Sequence, residues 1–138
     1  MGQVTIFAQL GAPLEKHNSW GAVRQADGVV FLTLWEDRIR TIDGVRYGRI
    51  THHGKFAKKR VPNPEYPKRL EHVDRIRKGH PCYLVINKAR DTEAITRSVG
   101  SVIQDEVFVG GKLIEHDGET WIEVGKGVPI EHASAPLT

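Results

Sequence analysis

The chain has 138 residues and a mass of 15.5 kDa, with 20 Lys and Arg against 17 Asp and Glu, a formal charge of +3 and a pI near 9.1. This length supplies one domain, and 39% hydrophobic with 27% charged residues is ordinary globular usage, which excludes a disordered tail. No apolar run approaches the roughly 20 residues of a membrane span, the opening residues lack a basic n-region and a long apolar stretch, and one cysteine excludes an intrachain disulfide framework, a zinc ribbon or a redox CxxC, so a cytoplasmic location is expected.

Val4 to Ala8 is short, apolar and β-rich and reads as an opening strand ended by Gly11-Ala12-Pro13. Trp20 to Arg24 and Gly28 to Trp35 follow, and Asp27-Gly28 between them is a hairpin signal because both central residues of a type I′ turn take positive φ. A second hairpin is expected where Arg38 to Ile42 and Val45 to Thr51 flank Asp43-Gly44. His53 to Asn63 reads as a loop. Asn63 then caps a helix with Pro64 at its first position, running to Lys78 and stopped by Gly79. Tyr66, Leu70, Val73 and Ile76 make one apolar stripe on it, and Lys68, Arg69, Arg75 and Lys78 form the opposite, basic surface. Cys82 to Asn87 reads as a central strand in which Cys82 is a core residue, and Ala94 to Thr96 and Ser98 to Ile103 are weaker strands. Val107 to Val109, Lys112 to His116 and Thr120 to Val124 form a meander that turns at Gly110-Gly111 and Asp117-Gly118, with Trp121 in the core. The expected fold is α+β: a β-rich small barrel or strongly bent antiparallel sheet with one main helix, spanning 1–125, and a flexible tail over 126–138.

The small net charge conceals a segregation. Met1 to Asp37 holds 2 basic and 4 acidic residues, Arg38 to Arg90 holds 15 and 4, and Asp91 to Thr138 holds 3 and 9. A basic block beside an acidic C-terminal third points to a polyanionic partner. Arg38, Arg40, Arg46 and Arg49 on the hairpin, Lys58, Lys59 and Arg60 in the loop, and Lys68, Arg69 and Arg75 on the helix are the candidate phosphate contacts. They would supply affinity and salt dependence without base discrimination. Discrimination would fall to the aromatic hairpin: Trp20 and Trp35 are either core residues or a wall that stacks a base, with Ser19, Arg24 or Asp37 bonding its edge. An acceptor such as Asp37 suits a cytosine amino group.

His53, Asn63 and His72 imitate the order of a ββα-metal (HNH) nuclease, which makes a small metal-dependent nuclease the alternative reading. The interval from His53 to Asn63 leaves little room for its second strand. No P-loop, GxGxxG or Ser-His-Asp spacing is present, and no cofactor or bound metal is expected. A protein-interaction role is a third reading, with the acidic third screening the basic block in a homodimer.

Asn18-Ser19-Trp20-Gly21-Ala22-Val23 and Val30-Phe31-Leu32-x-x-Trp35-x-Asp37 resemble the SWGA-type segment and VFLxVW-type strand of the N-terminal region of bacterial HNH-type restriction endonucleases. The similarity continues through Arg69 to Val73, Ile76 to Gly79, Tyr83 to Ile86, Ser101 to Gly111 and Asp117-Gly118, and covers about residues 5–125. It implies a DNA-reading module of PUA-like or EVE-like type that holds a flipped, modified cytosine. Ser19, Trp20, Trp35 and Asp37 would be the pocket, and the basic hairpin and helix would grip phosphate. In that family a separate HNH nuclease domain follows, and this sequence stops before one. The expectation is a stand-alone reader of DNA, with RNA as the alternative ligand and a nuclease supplied in trans, or a piece of a longer nuclease.

Overall fold

The computed structural model describes residues 2–16, 19–52, 65–93, 99–103 and 105–135. In chain order the elements are α1 (Gln3–Gln9), β1 (Gly21–Val23), β2 (Val30–Trp35), a 3-10 turn (Glu36–Arg38), β3 (Ile39–Ile42), β4 (Val45–Arg49), α2 (Glu65–Arg77), β5 (Cys82–Ala89), β6 (Val99–Val102), β7 (Glu106–His116), β8 (Glu119–Pro129) and α3 (Ile130–Ala133). The protein is mixed α+β and sheet-rich.

The opening segment is a helix, where the sequence pattern predicts a strand. Ile6, Phe7 and Leu10 are its buried residues and Val4 and Thr5 are exposed, so the apolar positions follow a helical stripe. Gly11 ends it at φ 76°, with Gly11 N–H donating to the Ala8 carbonyl and Ala12 N–H to the Phe7 carbonyl, both at 3.1 Å. That is a Schellman cap: the glycine that looks like a strand breaker terminates a helix. Gly79, at φ 105°, ends α2 the same way, with His80 N–H on the Arg75 carbonyl and Gly79 N–H on the Ile76 carbonyl.

One sheet holds the eight strands seen among the described residues, in the order β1-β2-β5-β7-β8-β4-β3, with β6 added beside β5. β2 and β5 run parallel and the other neighbours antiparallel. The sheet therefore is neither all-antiparallel nor a closed barrel. It does curl: a Cβ on Gly48 of β4 would meet the Leu34 side chain of β2 at 2.5 Å, so glycine lets these two strands approach without pairing. β5 is central as expected.

Asp43-Gly44 and Asp117-Gly118 form the expected tight turns, with the positive φ pair of type I′ at 51° and 80° and at 51° and 75°. Asp27-Gly28 does not. The β1–β2 loop is a longer turn closed by Gly28 N–H to the Arg24 carbonyl at 2.8 Å, because the Asp27 carboxylate folds back on Arg24 Nε and Nη2 and on Val29 N–H. Gly110-Gly111 is no turn either. β7 continues through it with register shifts, and a Cβ on Gly110 would meet Ile122 at 2.8 Å and Cys82 Sγ at 3.0 Å. The segment from residue 126, expected as a flexible tail, completes β8 against Glu106 to Phe108 and enters α3, whose Ile130 and Ala133 are buried. The expected strand at Ala94 to Thr96 lies outside the described residues.

Apolar side chains gather on both faces of the sheet. Ile6, Phe7 and Leu10 join Phe31, Val85, Val107, Val128, Ile130 and Ala133 beneath α1 and α3. Leu32, Leu34, Ile50, Leu84 and Ile122 form a second cluster with Val73 of α2. Cys82 sits in this cluster, where burial pushes its thiol up to about 12, so it is a core residue and no nucleophile. Among the described residues no helix is long and apolar enough to cross a membrane.

Candidate nucleic-acid interface

The β3–β4 hairpin carries four of the arginines singled out by charge. Arg40 lies opposite Tyr47, which lies opposite Glu123, while Arg49 lies opposite Trp121. Cross-strand partners share a face of the sheet, so Arg40, Tyr47, Arg49 and Trp121 stand together. Arg40 is exposed, and its guanidinium carbon is 5.8 Å from the centre of the Trp121 ring. Trp121 is buried and anchored, its Nε1–H donating to the His116 carbonyl at 3.0 Å and the His116 ring meeting it edge-on. The fixed indole orients Arg40 while leaving its N–H fork available to an anion. Arg46, opposite Thr41, is exposed near the hairpin tip; Arg38, in the 3-10 turn, and Arg49 are half-buried. Glu123 shares this face, and its carboxylate accepts the Lys112 N–H at 3.3 Å.

The helix contributes less than expected. Arg69 is buried, at 4% exposure, beneath the groove side of α2. Its Nη1 donates to the Ile50 carbonyl and its Nη2 to the carbonyls of Trp20 and Thr33 and to Thr33 Oγ1, at 2.8 to 3.2 Å. Burial pulls its pKa down to about 10, which leaves it charged at neutral pH. Arg69 therefore clamps α2 to carbonyls before β1, within β2 and after β4 and is not placed to contact phosphate. Lys68 is held by Glu15 at 3.2 Å and Glu65 at 3.5 Å, and its pKa is raised chiefly by the hydrogen bond it donates to Glu15. Arg75 is exposed and lines the groove beside β1, the strand at the opposite end of the strand order from β3. Lys58, Lys59 and Arg60 lie outside the described residues.

Two residues of the expected base pocket are committed to other partners. Arg24 is 2% exposed; it forms a bidentate pair with Asp27, donates to the carbonyls of Leu10 and Ala133, and lies 5.2 Å from the centre of the Phe31 ring. Ser19 is also buried, its Oγ accepting the Lys16 N–H and its carbonyl accepting Gln3 Nε2. These two residues are structural locks, since their polar atoms are committed to backbone groups and, for Arg24, to the Asp27 carboxylate. Trp20 is half-buried with its ring edge-on to Tyr66 and its face beneath Arg69. Trp35 is half-buried at the end of β2, and Asp37, in the turn after it, is exposed.

His72 lines a groove of about 780 Å3 between α2 and β1. Its Nδ1 is buried without a hydrogen bond, and burial, followed by the charges of Arg69, Arg75 and Lys68, lowers its pKa to about 4. The imidazole is neutral at physiological pH. His53 and Asn63, its partners in the nuclease reading, lie outside the described residues, and among the described residues no group of three His, Cys, Asp or Glu is placed to hold a metal.

Two features escaped the sequence pattern. Arg69 shares the helical stripe of Tyr66, Val73 and Ile76 as well as Leu70 does, so the spacing was a usable signal that hydropathy overrode; Leu70 is 37% exposed. Thr51, also buried, donates Oγ1–H to Glu119 at 2.7 Å and accepts Thr120 N–H, a pairing across 68 residues that no local signal announces. No family model, no curated protein and no solved structure matches the chain.

Proposed function

We propose that this chain is a nucleic-acid-binding module that grips backbone phosphate through the β3–β4 hairpin, with DNA as its ligand. The observation that carries the reading is Arg40 seated on the anchored ring of Trp121, with Arg49 in the adjoining row and Arg46 exposed toward the hairpin tip. Three further arguments support it: the concentration of basic residues in Arg38 to Arg90, the sheet-rich α+β fold with a helix against the sheet, and the resemblance to the DNA-reading region of restriction endonucleases. On this reading the protein works in the cytoplasm, and cleavage, where it follows, belongs to a nuclease domain or subunit in trans. Reading of a flipped, modified cytosine would fall to Trp35 and Asp37, with Trp20 as a partly covered wall, because Ser19 and Arg24 have no free polar edge to offer.

Fluorescence anisotropy with labelled duplex DNA and single-stranded RNA, at salt from about 50 to 200 mM, tests the proposal. Binding should fall steeply with salt, and Arg40→Ala and Arg46→Ala should each reduce the slope by about 1. Absence of binding to either polymer at the low-salt end would sink it. A duplex pair differing at one modified cytosine then asks whether Trp35→Ala removes discrimination while leaving salt-dependent binding intact.

A further inference from the structure

β1 ends the sheet, with β2 on one side of it. Arg24 N–H donates to the Val29 carbonyl at 2.8 Å and Thr33 N–H to the Trp20 carbonyl at 2.9 Å, with Gly21 opposite Leu32 and Val23 opposite Val30. Antiparallel alternation therefore turns the backbone groups of Trp20, Ala22 and Arg24 toward β2 and those of Gly21 and Val23 away from it. Among the described residues, these outward N–H and C=O groups have no hydrogen-bond partner. Gly21, Ala22 and Val23 line the groove beside α2, whose rim also includes Pro13 and Glu15. A strand edge is normally blunted by a covering element, a charge or a proline. This one has a glycine, an alanine and a valine, and it opens on a groove of about 780 Å3.

The alignment of α2 with this edge is given by three contacts. Trp20 meets Tyr66 and Arg69, a Cβ on Gly21 would lie 3.2 Å from His72 Nδ1, and His80 Nδ1 is 2.9 Å from the Gly28 carbonyl. The helix thus runs alongside β1 in the same direction, with Ala22 level with the stretch just after His72. Around that level α2 presents Glu71, Asp74, Arg75 and Lys78, all exposed and all lining the groove.

We propose that β1 pairs antiparallel with β1 of a second copy of this chain, about a two-fold axis through Ala22, to make one continuous sheet. Gly21 of each copy then faces Val23 of the other, and every outward N–H meets an outward carbonyl. α2 packs on β1 and β2. With about 4.8 Å between the two β1 strands, the two α2 axes run antiparallel about 10 Å apart, within helix contact distance. Read antiparallel about the Asp74–Arg75 peptide, Asp74 stands opposite Arg75 of the second copy and Glu71 opposite Lys78. Asp74 already holds Lys78 of its own helix at 2.9 Å, so across the axis it is shared between two cations. Backbone and charge patterns are self-complementary about neighbouring centres, which selects a second copy over an unrelated extended peptide. The arrangement leaves Arg40 and Arg46, at the other end of the strand order, clear of the contact on both copies.

Sedimentation equilibrium of the full chain at about 50 mM salt should give twice the 15.5 kDa monomer mass. Asp74→Arg and Arg75→Glu, each on the exposed side of α2, place like charges across the axis and should each weaken self-association about tenfold or more. The double exchange should restore it, while circular dichroism stays unchanged throughout. A monomer at every concentration, single variants that associate like the parent, or a double variant that fails to recover would each overturn the proposal. So would a monomeric parent that instead takes up an extended peptide along β1.

Discussion

Arg24 and Arg69 differ from Arg40 and Arg46 in everything but residue type. The first two are almost wholly withdrawn from solvent, and each uses its guanidinium fork to satisfy carbonyls from distant parts of the chain. Arg24 ties the end of α1 and the end of α3 to the first hairpin; Arg69 ties α2 to the ends of β2 and β4. Arg40 and Arg46 stand on a two-stranded ribbon at the end of the sheet, where the planar fork has water on it. An arginine inside is a five-donor connector whose charge must be offset, and one outside is an adjustable anion receptor. Counting basic residues along the sequence merges these two jobs.

The largest test of this contrast is Arg24→Ala. It takes the guanidinium from the Asp27 carboxylate and a donor from three carbonyls, and unfolding in urea should show a loss of about 3–5 kcal/mol. A loss below about 1 kcal/mol would mean that Arg24 is no connector. Arg69→Met should follow at about 2–3 kcal/mol, because its acceptors are carbonyls and a hydroxyl with no buried anion among them. Gly48→Ala addresses the curl that brings the β3–β4 ribbon against β2. The added methyl meets Leu34, itself buried, and should cost about 1–3 kcal/mol in the same assay.

His72 sharpens the contrast through pH. Its folded pKa of about 4 lies below the ordinary value of 6.5, so the unfolded chain binds more protons between those limits. Stability should therefore be fully present above about pH 6.5 and fall as pH drops toward 4. The loss is about 1–2 kcal/mol once the solvent-facing part of the ring is discounted. His72→Gln should flatten that limb of the pH–stability curve, and an unchanged curve would place the titration elsewhere. Smallest of all, Arg40→Ala and Arg46→Ala should shift stability by no more than about 0.5 kcal/mol. A thermal melt that moved by many degrees would show that these arginines, too, hold the fold together.

Local chemistry was legible where one or two residues decide a conformation. Asp43-Gly44 and Asp117-Gly118 turn as their positive φ requires, and Gly79 stops α2 where its freedom predicts. Asp27-Gly28 has the same dipeptide but a different turn, because Asp27 finds Arg24 three residues back and a carboxylate paired with a guanidinium is worth more than a two-residue loop. The first element was misread because a run of five apolar and β-branched residues fits a strand as well as a short helix, and the choice rests on Leu10 and Gly11 beyond it. Of the candidate interface, the basic hairpin was legible as a unit because its residues are adjacent in sequence. The base pocket was not, since Ser19 and Arg24 are claimed by Lys16, Leu10 and Ala133, partners that hydropathy does not reveal.

What the sequence by itself determined is the set of features with a short range: two I′ hairpins, the end of the long helix, an apolar central strand and a basic block between less basic neighbours. These depend on backbone sterics, which each residue carries with it. Tertiary structure alone decided which arginines are inside, that Gly110-Gly111 lies within a strand, that residues from 126 complete β8 and enter α3, and that β1 ends the strand order. Each of those outcomes depends on what comes to lie across the sheet from a residue, and a buried polar group is kept only where such a partner waits for it.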